Sequence, residues 1–336
     1  VNHRFLLIRL GSLGDVIHAI PTAAALRARF PEARIDWMVD PRYVALLEMV
    51  PGIDSRIAVN TRRPGRTLGT IKDLRGVGYT AAIDLQGLLK SAVLARAVGA
   101  ERTIGFAAHH LRERTAVPFY THRVDPQDVA HVVFKNLALL EPLGSRDVRA
   151  AFPLEIPFSA VADAVNTRFD GASYAVINPG AAWPNKRWPA DRFGALATAI
   201  RDRFGLRTLV LWGPGEESLA ADVAGASSGA AEAAPATSIT DLFAIARRAR
   251  ILISGDTGPL HIGGAVGTPL VALFGPTRAE RNGPWSAADI VIARTDGCSC
   301  HYRRRCRRNA PCINEIELSE VVEAVERRLA APHAGL

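Results

Sequence analysis

Short apolar runs recur along the chain, each ending in glycine, proline or an acidic residue and followed by an amphipathic stretch. The first run, FLLIRL, predicts a strand over 5–10, then a glycine-rich turn at 11–15 and a helix over about 16–30. Within that helix Ile17, Ile20, Ala24 and Leu26 recur at helical spacing. Further strands are predicted at 35–39 and 81–85, with helical stretches near 43–49 and at 90–98. The pattern then restarts. Strands are predicted at 174–178, 208–212, 251–253 and 270–274, and helices at 192–204, 241–248 and 319–329. Residues 220–238 are rich in Ala, Ser and Gly and carry little periodic signal. Strand–helix alternation in each half predicts α/β architecture, a parallel sheet with helices on both faces. The break falls at 153–171, where proline and polar residues interrupt the pattern. Ligands in such folds bind beyond the carboxyl ends of the strands, so a cleft between two such domains is the expected site.

Composition adds a charge asymmetry. The 336 residues carry a net charge of +8 and are 48% hydrophobic. Residues 1–150 hold 21 Lys+Arg and 14 Asp+Glu, whereas 151–336 hold 20 and 19. A basic first half suits an anionic partner, although a solvated arginine-rich surface gives the same count. No apolar run approaches the ~20 residues that span a bilayer. The N-terminal run is too short, and lacks the cleavage pattern, for a secretory leader. The expectation is a cytoplasmic protein with at most peripheral membrane contact. Cys298, Cys300, Cys306 and Cys312 cluster around five arginines between 303 and 308. Their C-x-C-x5-C-x5-C spacing departs from paired C-x2-C knuckles. Reduced local thiols are the default there, with a structural metal or a disulfide as alternatives.

Candidate chemistry sits at the predicted strand ends. SGDTGPLHIGGAVGTP, at 254–269, follows an apolar run and opens a helix with Pro259 in its first turn. Backbone N–H groups at a helix N-terminus favour anions, so this stretch suggests a pocket for a phosphorylated ligand. Gly255, Gly258, Gly263 and Gly264 are expected to let a ligand approach the backbone. At 11–15, GSLGD lacks the G-x-G-x-x-G spacing of a dinucleotide loop; Asp15 suits either proton transfer or capping of the next helix. The segment NPGAAWPNKRWP at 178–189 lacks the Gly-Lys-Ser/Thr of a P-loop, which leaves Lys186 as a cation able to neutralise a diphosphate. Glu216 and Glu217 follow Gly213-Pro214-Gly215, where a carboxylate can accept ribose hydroxyls or simply complement a helix dipole. Arg62, Arg63 and Arg66 form one basic group, and His109, His110, Arg112 and Arg114 another. A nucleic-acid module is disfavoured, because the 303–308 arginines have only Tyr302 beside them for stacking.

With these residues in view, the chain resembles glycosyltransferase family 9, the ADP-heptose lipopolysaccharide heptosyltransferases. The resemblance runs over about 4–330. It rests on RLGSLGDVIHAIPTAAALR, DLQGLLKSA, NPGAAWPNKRWP, SGDTGPLHIGGAVGTP and LFGPT in that order. It implies a GT-B fold: an acceptor-binding Rossmann-like domain over 1–160, an ADP-sugar-binding one over 170–315, and a helix within 316–336 packing back toward the first. It implies inverting transfer of heptose from ADP-L-glycero-D-manno-heptose, with Asp15 as general base and Lys186 stabilising the departing diphosphate. Ser12, Gly14, Ala181, Ala182, Glu216, Glu217, Asp256, Thr257, Gly258 and His261 would bind donor, with Glu217 favoured over Glu216 for the ribose. Arg62, Arg63, Arg66 and Arg112 would bind an anionic lipopolysaccharide precursor. No cofactor and no metal are implied, and no nucleic acid; the protein would work on the cytoplasmic face of the inner membrane. VNTRRPGR, DLQGLLKSA and Arg112 look like the branch that acts on Kdo of Kdo-lipid A, heptosyltransferase I. The cysteine-rich tail looks more like heptosyltransferase II or other members, and Ala181-Ala182 stands where the first branch tends to carry hydroxyls.

Overall fold

Each half of the chain builds one parallel sheet, six strands in each among the described residues of the computed structural model. These residues are 3–61, 64–146, 149–296, 298 and 300–332, without the side chains of Pro64 and Arg66. The chain divides into two units, Val1–Glu155 and Ile156–Leu336. The first contains β1 (Arg4–Ile8), β2 (Arg34–Val39), β3 (Ser55–Ala58), β4 (Ala81–Asp84), β5 (Arg102–Phe106) and β6 (His122–Val124). Their order, β3-β2-β1-β4-β5-β6, is that of a doubly wound nucleotide-binding sheet. The second contains β7 (Tyr174–Asn178), β8 (Arg207–Val210), β9 (Ala231–Ala233), β10 (Ile251–Gly255), β11 (Leu270–Phe274) and β12 (Ile290–Ala293). Their order, β12-β11-β10-β7-β8-β9, repeats the same winding. The expected α/β, GT-B-type pair of Rossmann-like units is what forms.

The central strands are buried on both faces, which is why they read as continuous apolar runs. Helix Ala190–Phe204 turns Phe193, Leu196, Ala197 and Ile200 into the second core, one apolar stripe with charged residues opposite. Full burial of Phe193, Leu196 or Ile200 contributes about 1.5–3 kcal/mol each. Trp188 joins this core and donates its indole N–H to the carbonyl of Ile316 at 3.0 Å. Helix Leu318–Ala330 is seated on the same core through Val321, Val322, Ala324 and Val325, and Arg328 pairs with Asp289 at 2.8 Å.

One expectation needs correction. The helix expected over 16–30 is two helices, Leu13–Ile17 and Ile20–Arg29. Pro21 has no N–H, and its ring would meet the carbonyl four residues back, so one continuous helix cannot run through it. The break expected within 153–171 falls there, between 155 and 156, and a helix, Ala160–Arg168, follows it. Ser159 caps it by accepting from the N–H of Ala162 at 2.9 Å, and donates to Asp241 at 2.6 Å. Among the described residues no helix is long and apolar enough to cross a membrane.

Candidate active site

The polar residues of the second unit gather at the carboxyl ends of β7 and β10, the adjacent strands where the winding reverses direction. Crevices at such points are where doubly wound sheets bind ligands. Asn178 closes β7. Its buried amide donates to the Ser254 hydroxyl at 3.2 Å, the Thr257 hydroxyl at 3.0 Å and the carbonyl of Gly180 at 3.1 Å. The Thr257 hydroxyl is thereby engaged, and it makes no capping bond to helix Gly258–Ala265. Pro259 lies in the first turn. The first-turn N–H groups thus have no side-chain cap, the arrangement that receives an anionic oxygen.

Asp256, nearly buried, is the hub beside this helix. It takes an ion pair from Lys186 at 2.5 Å, a hydrogen bond from Thr277 at 2.7 Å, and lies 3.5 Å from the His261 ring nitrogen. Burial works to raise its pKa. The His261 hydrogen bond and the Lys186 charge outweigh that and hold the carboxyl well below the usual range. The Lys186 ammonium also sits over the Trp183 ring, 4.8 Å from its centroid. Asp256 therefore fixes a cation, a hydroxyl and an imidazole around one carboxylate.

The next residue reaches the other acidic position. Arg187 donates to Glu216 at 3.0 Å and to the carbonyl of Ala181 at 2.9 Å. Glu216 also accepts from the N–H of Gly213 at 3.3 Å. A Cβ on Gly180 would stand 2.0 Å from the Glu216 carboxylate, so only glycine admits that carboxylate against the loop. Glu217 is exposed in the first turn of helix Glu217–Gly225. The structure thus brings Glu216, not Glu217, together with Gly180, Ala181 and Arg187, while Ala182 is exposed.

The first unit has a parallel construction where β1 and β4 adjoin. Ser12, through its N–H at 3.0 Å and its hydroxyl at 2.9 Å, donates to one oxygen of Asp15. The other oxygen pairs with Arg9, which also donates to the carbonyl of Leu85. Asp15 does cap the turn, with Gly14 buried beside it. Its side chain keeps 28% exposure. The DLQGLLKSA segment proves to be scaffolding for this turn. Asp84 is buried and accepts from the N–H groups of Gln86 (2.9 Å) and Gly87 (3.2 Å) and the hydroxyls of Ser91 (2.9 Å) and Tyr120 (2.7 Å). Burial pushes its pKa up against those four donors. Gln86 in turn accepts from the N–H of Leu10 at 2.9 Å. Gly87 has φ +68°, and a Cβ there would lie 2.7 Å from Leu111, so the bend requires glycine.

The other expected residues separate. Arg62, Arg63 and the side chain of Arg66 lie outside the described residues. Arg112 and Arg114 are exposed. His109 and His110 flank Asp125 at 3.2 and 2.8 Å, and the His110 hydrogen bond first, then the other donors, lower the Asp125 pKa. Gly263 and Gly264 are not ligand-facing as expected. A Cβ at 263 would stand 2.8 Å from Leu270, and one at 264 would stand 2.8 Å from the Trp285 ring, so both glycines serve close packing of the helix. Cys298, Cys300, Cys306 and Cys312 form a cluster of their own, without a disulfide. Burial and the neighbouring Cys298 push the Cys312 thiol up to about 12.

Three partners escaped the sequence reading. Arg9 carried a signal, a charge inside an apolar run; it is buried and holds Asp15. Arg187 and Thr277 lay within noted motifs, but their targets, Glu216 and Asp256, are known only from the fold.

The profile of glycosyltransferase family 9 (heptosyltransferase) matches residues 68–310. Lipopolysaccharide heptosyltransferase 1 of Pseudomonas aeruginosa is 27% identical, over 98% of this chain and 99% of that protein. Lipopolysaccharide heptosyltransferase 3 of Escherichia coli is also 27% identical, over 96% of this chain and 98% of that protein. The solved structure of the E. coli heptosyltransferase WaaC with ADP superposes with a TM-score of 0.77 at 23% identity, covering 97% of this chain and 99% of that one.

Proposed function

The chain belongs to glycosyltransferase family 9, and on that premise we propose that it moves heptose from ADP-L-glycero-D-manno-heptose to the Kdo of a Kdo-lipid A acceptor, with inversion. The observation that carries the reading is the Lys186–Asp256–His261–Thr277 cluster beside the uncapped start of helix Gly258–Ala265. A sugar diphosphate leaves with growing negative charge. A held ammonium and first-turn N–H groups stabilise that charge more in the transition state than in the ground state. Asp256 acts by orienting Lys186 and Thr277. Glu216, held by Arg187 and the Gly213 N–H, is the carboxylate for the ribose hydroxyls. Asp15, oriented by Ser12 and Arg9, takes the proton from the acceptor hydroxyl as that oxygen attacks the anomeric carbon. Donor and acceptor here are both substrates, and the reaction consumes no cofactor.

The acceptor is an anionic lipid precursor. Arg62, Arg63, Arg66 and Arg112 are the proposed contacts, in the half that carries most of the net positive charge. Meeting such a lipid places the protein peripherally on the cytoplasmic face of the inner membrane. A second reading keeps the family and changes the acceptor, because heptosyltransferases 1 and 3 match with the same 27% identity. Incubation with ADP-heptose and Kdo-lipid A, followed by mass analysis, separates the two. One added heptose supports the first reading. Transfer only to an already heptosylated core supports the second. Thermal shift with ADP, UDP, GDP and TDP tests the donor, and no preference for ADP would sink both.

A further inference from the structure

Apolar side chains at a protein surface usually stand singly and need no explanation. Among the described residues six large ones are exposed. Three of them, Leu68 (67%), Leu89 (39%) and Val93 (40%), lie on two neighbouring helices of the first unit. Helix Pro64–Arg75 turns Ile71 and Leu74, and helix Leu89–Ala97 turns Leu94 and Ala95, into one shared core. Arg75, ending the first helix, donates to the carbonyl of Ala97, ending the second, at 2.7 Å. Each helix joins two parallel strands and so runs back against them, which sets the pair side by side in one direction. Counted back from that bond at ~1.5 Å per residue, Leu89, Leu68 and Val93 stand about 12, 10.5 and 6 Å along the pair, at one level. Leu68, Lys72 and Arg75 recur at i, i+4 and i+7, so Leu68 is on the side of its helix that reaches the second. Leu89, Val93 and Arg96 recur at the same spacing on the second helix, away from its buried residues. The apolar stripe is therefore continuous across both helices, with the exposed Lys72 and Arg96 at its border. Helix Leu89–Ala97 has no acidic residue, and the Glu113 carboxylate beside it is engaged by the N–H of Leu89 at 2.8 Å.

We infer that this two-helix face docks on an anionic phospholipid surface. An apolar stripe bordered by Lys and Arg is what an interfacial helix presents, with the apolar side chains entering the headgroup boundary and the cations meeting phosphates. Charge complementarity selects that occupant, since residues 1–150 hold 21 Lys+Arg against 14 Asp+Glu. The inference rests on the reading above that the acceptor is an anionic lipid precursor, and it names the surface by which the chain meets the bilayer that holds it. The placement serves that reaction. Both helices start at the carboxyl edge of the first sheet, the edge that carries Asp15. Helix Leu89–Ala97 follows directly on the loop whose Gln86 accepts from the N–H of Leu10, at the base of the Asp15 turn. Docking through Leu68, Leu89 and Val93 turns that edge of the unit toward the lipid.

The test is sedimentation of the full chain with sucrose-loaded vesicles of equimolar phosphatidylethanolamine and phosphatidylglycerol, beside vesicles of phosphatidylcholine alone. Wild type should pellet with the anionic vesicles, less so as salt rises, and stay in solution with the neutral ones. The double variant Leu68→Ser, Val93→Ser should bind the anionic vesicles at least about tenfold more weakly. Its melting temperature and ADP affinity should match wild type, because both side chains are exposed. A separate variant, Lys72→Ala with Arg96→Ala, tests the same face without touching its apolar residues, and should lose about fivefold for each charge removed. Absence of binding to anionic vesicles would overturn the inference, as would equal binding by wild type and both variants. A wild-type dimer that the serine variant dissolves would also overturn it, by giving the face to a second copy of the chain. Vesicle binding is scored without ADP-heptose or acceptor, so it holds or fails separately from the proposed transfer.

Discussion

The ammonium of Lys186 lies 2.5 Å from the carboxylate of Asp256, with 14% and 5% of the two side chains exposed. Removing the cation leaves a buried carboxylate that Thr277 and His261 only partly compensate. Lys186→Ala should therefore lose about 3–5 kcal/mol of stability in the second unit as well as donor affinity. Adding Asp256→Asn should restore part of the stability and none of the transfer. Denaturant titration beside ADP binding checks both. Equal stability of wild type and Lys186→Ala would contradict the pair.

The same pair sets an acid limb. The folded pKa of Asp256 lies well below its unfolded value of about 3.9. Its stabilising contribution is therefore fully present above about pH 4 and is lost as pH falls below that value toward the folded pKa. The stability difference between wild type and Asp256→Asn should shrink from about pH 4 downward. A difference that stays constant to pH 2 would count against the assignment.

Glu216 and Glu217 adjoin in sequence and differ in surroundings. Glu216→Ala should raise the KM for ADP-heptose roughly tenfold or more, because a held carboxylate would be lost from the ribose. Glu217→Ala should stay within about 0.5 kcal/mol of wild type in stability, and leave KM unchanged. Gly180→Ala should mimic Glu216→Ala, since its Cβ would displace the Glu216 carboxylate. The reverse ranking in steady-state kinetics would return the role to Glu217.

Asp84 sits in the first unit with four donors aimed at it. Asp84→Ala leaves a buried Tyr120 hydroxyl and two amides without their acceptor, and should cost about 3–5 kcal/mol. ADP affinity of the folded protein should be unchanged, because Lys186, Glu216 and the start of helix Gly258–Ala265, proposed to hold the nucleotide, belong to the other unit. A variant that melts like wild type would show that the loop is held by something else.

How far the sequence disclosed this fold depended on burial. Tyr174–Asn178 and Leu270–Phe274 were legible residue for residue, because a central parallel strand is an unbroken apolar run. Ser55–Ala58 and Ala231–Ala233 are short edge strands, partly exposed, with no such run, and Ile290–Ala293, also at an edge, has an apolar run of only four residues. Arg102–Phe106 was hidden for another reason. Its Gly105 interrupts the apolar pattern, yet glycine is needed where the Tyr120 ring lies, 2.5 Å from where a Cβ would stand. At the site, residue types at strand ends marked Asp15, Lys186 and Asp256 beforehand. The choice between Glu216 and Glu217 turned on Gly180 and Arg187, which come from a different strand end and meet Glu216 only through the sheet order.

Asp15 carries the central claim, and it is also a capping residue, so a bare loss of activity would not distinguish the two roles. The decisive measurement is single-turnover transfer from ADP-heptose by Asp15→Asn, with ADP affinity and melting temperature taken on the same sample. The account predicts a rate lowered by about 10²–10⁴ with affinity and melting near wild type. Transfer at the wild-type rate, or a loss that follows a fall in melting temperature or ADP affinity, would contradict Asp15 as the base.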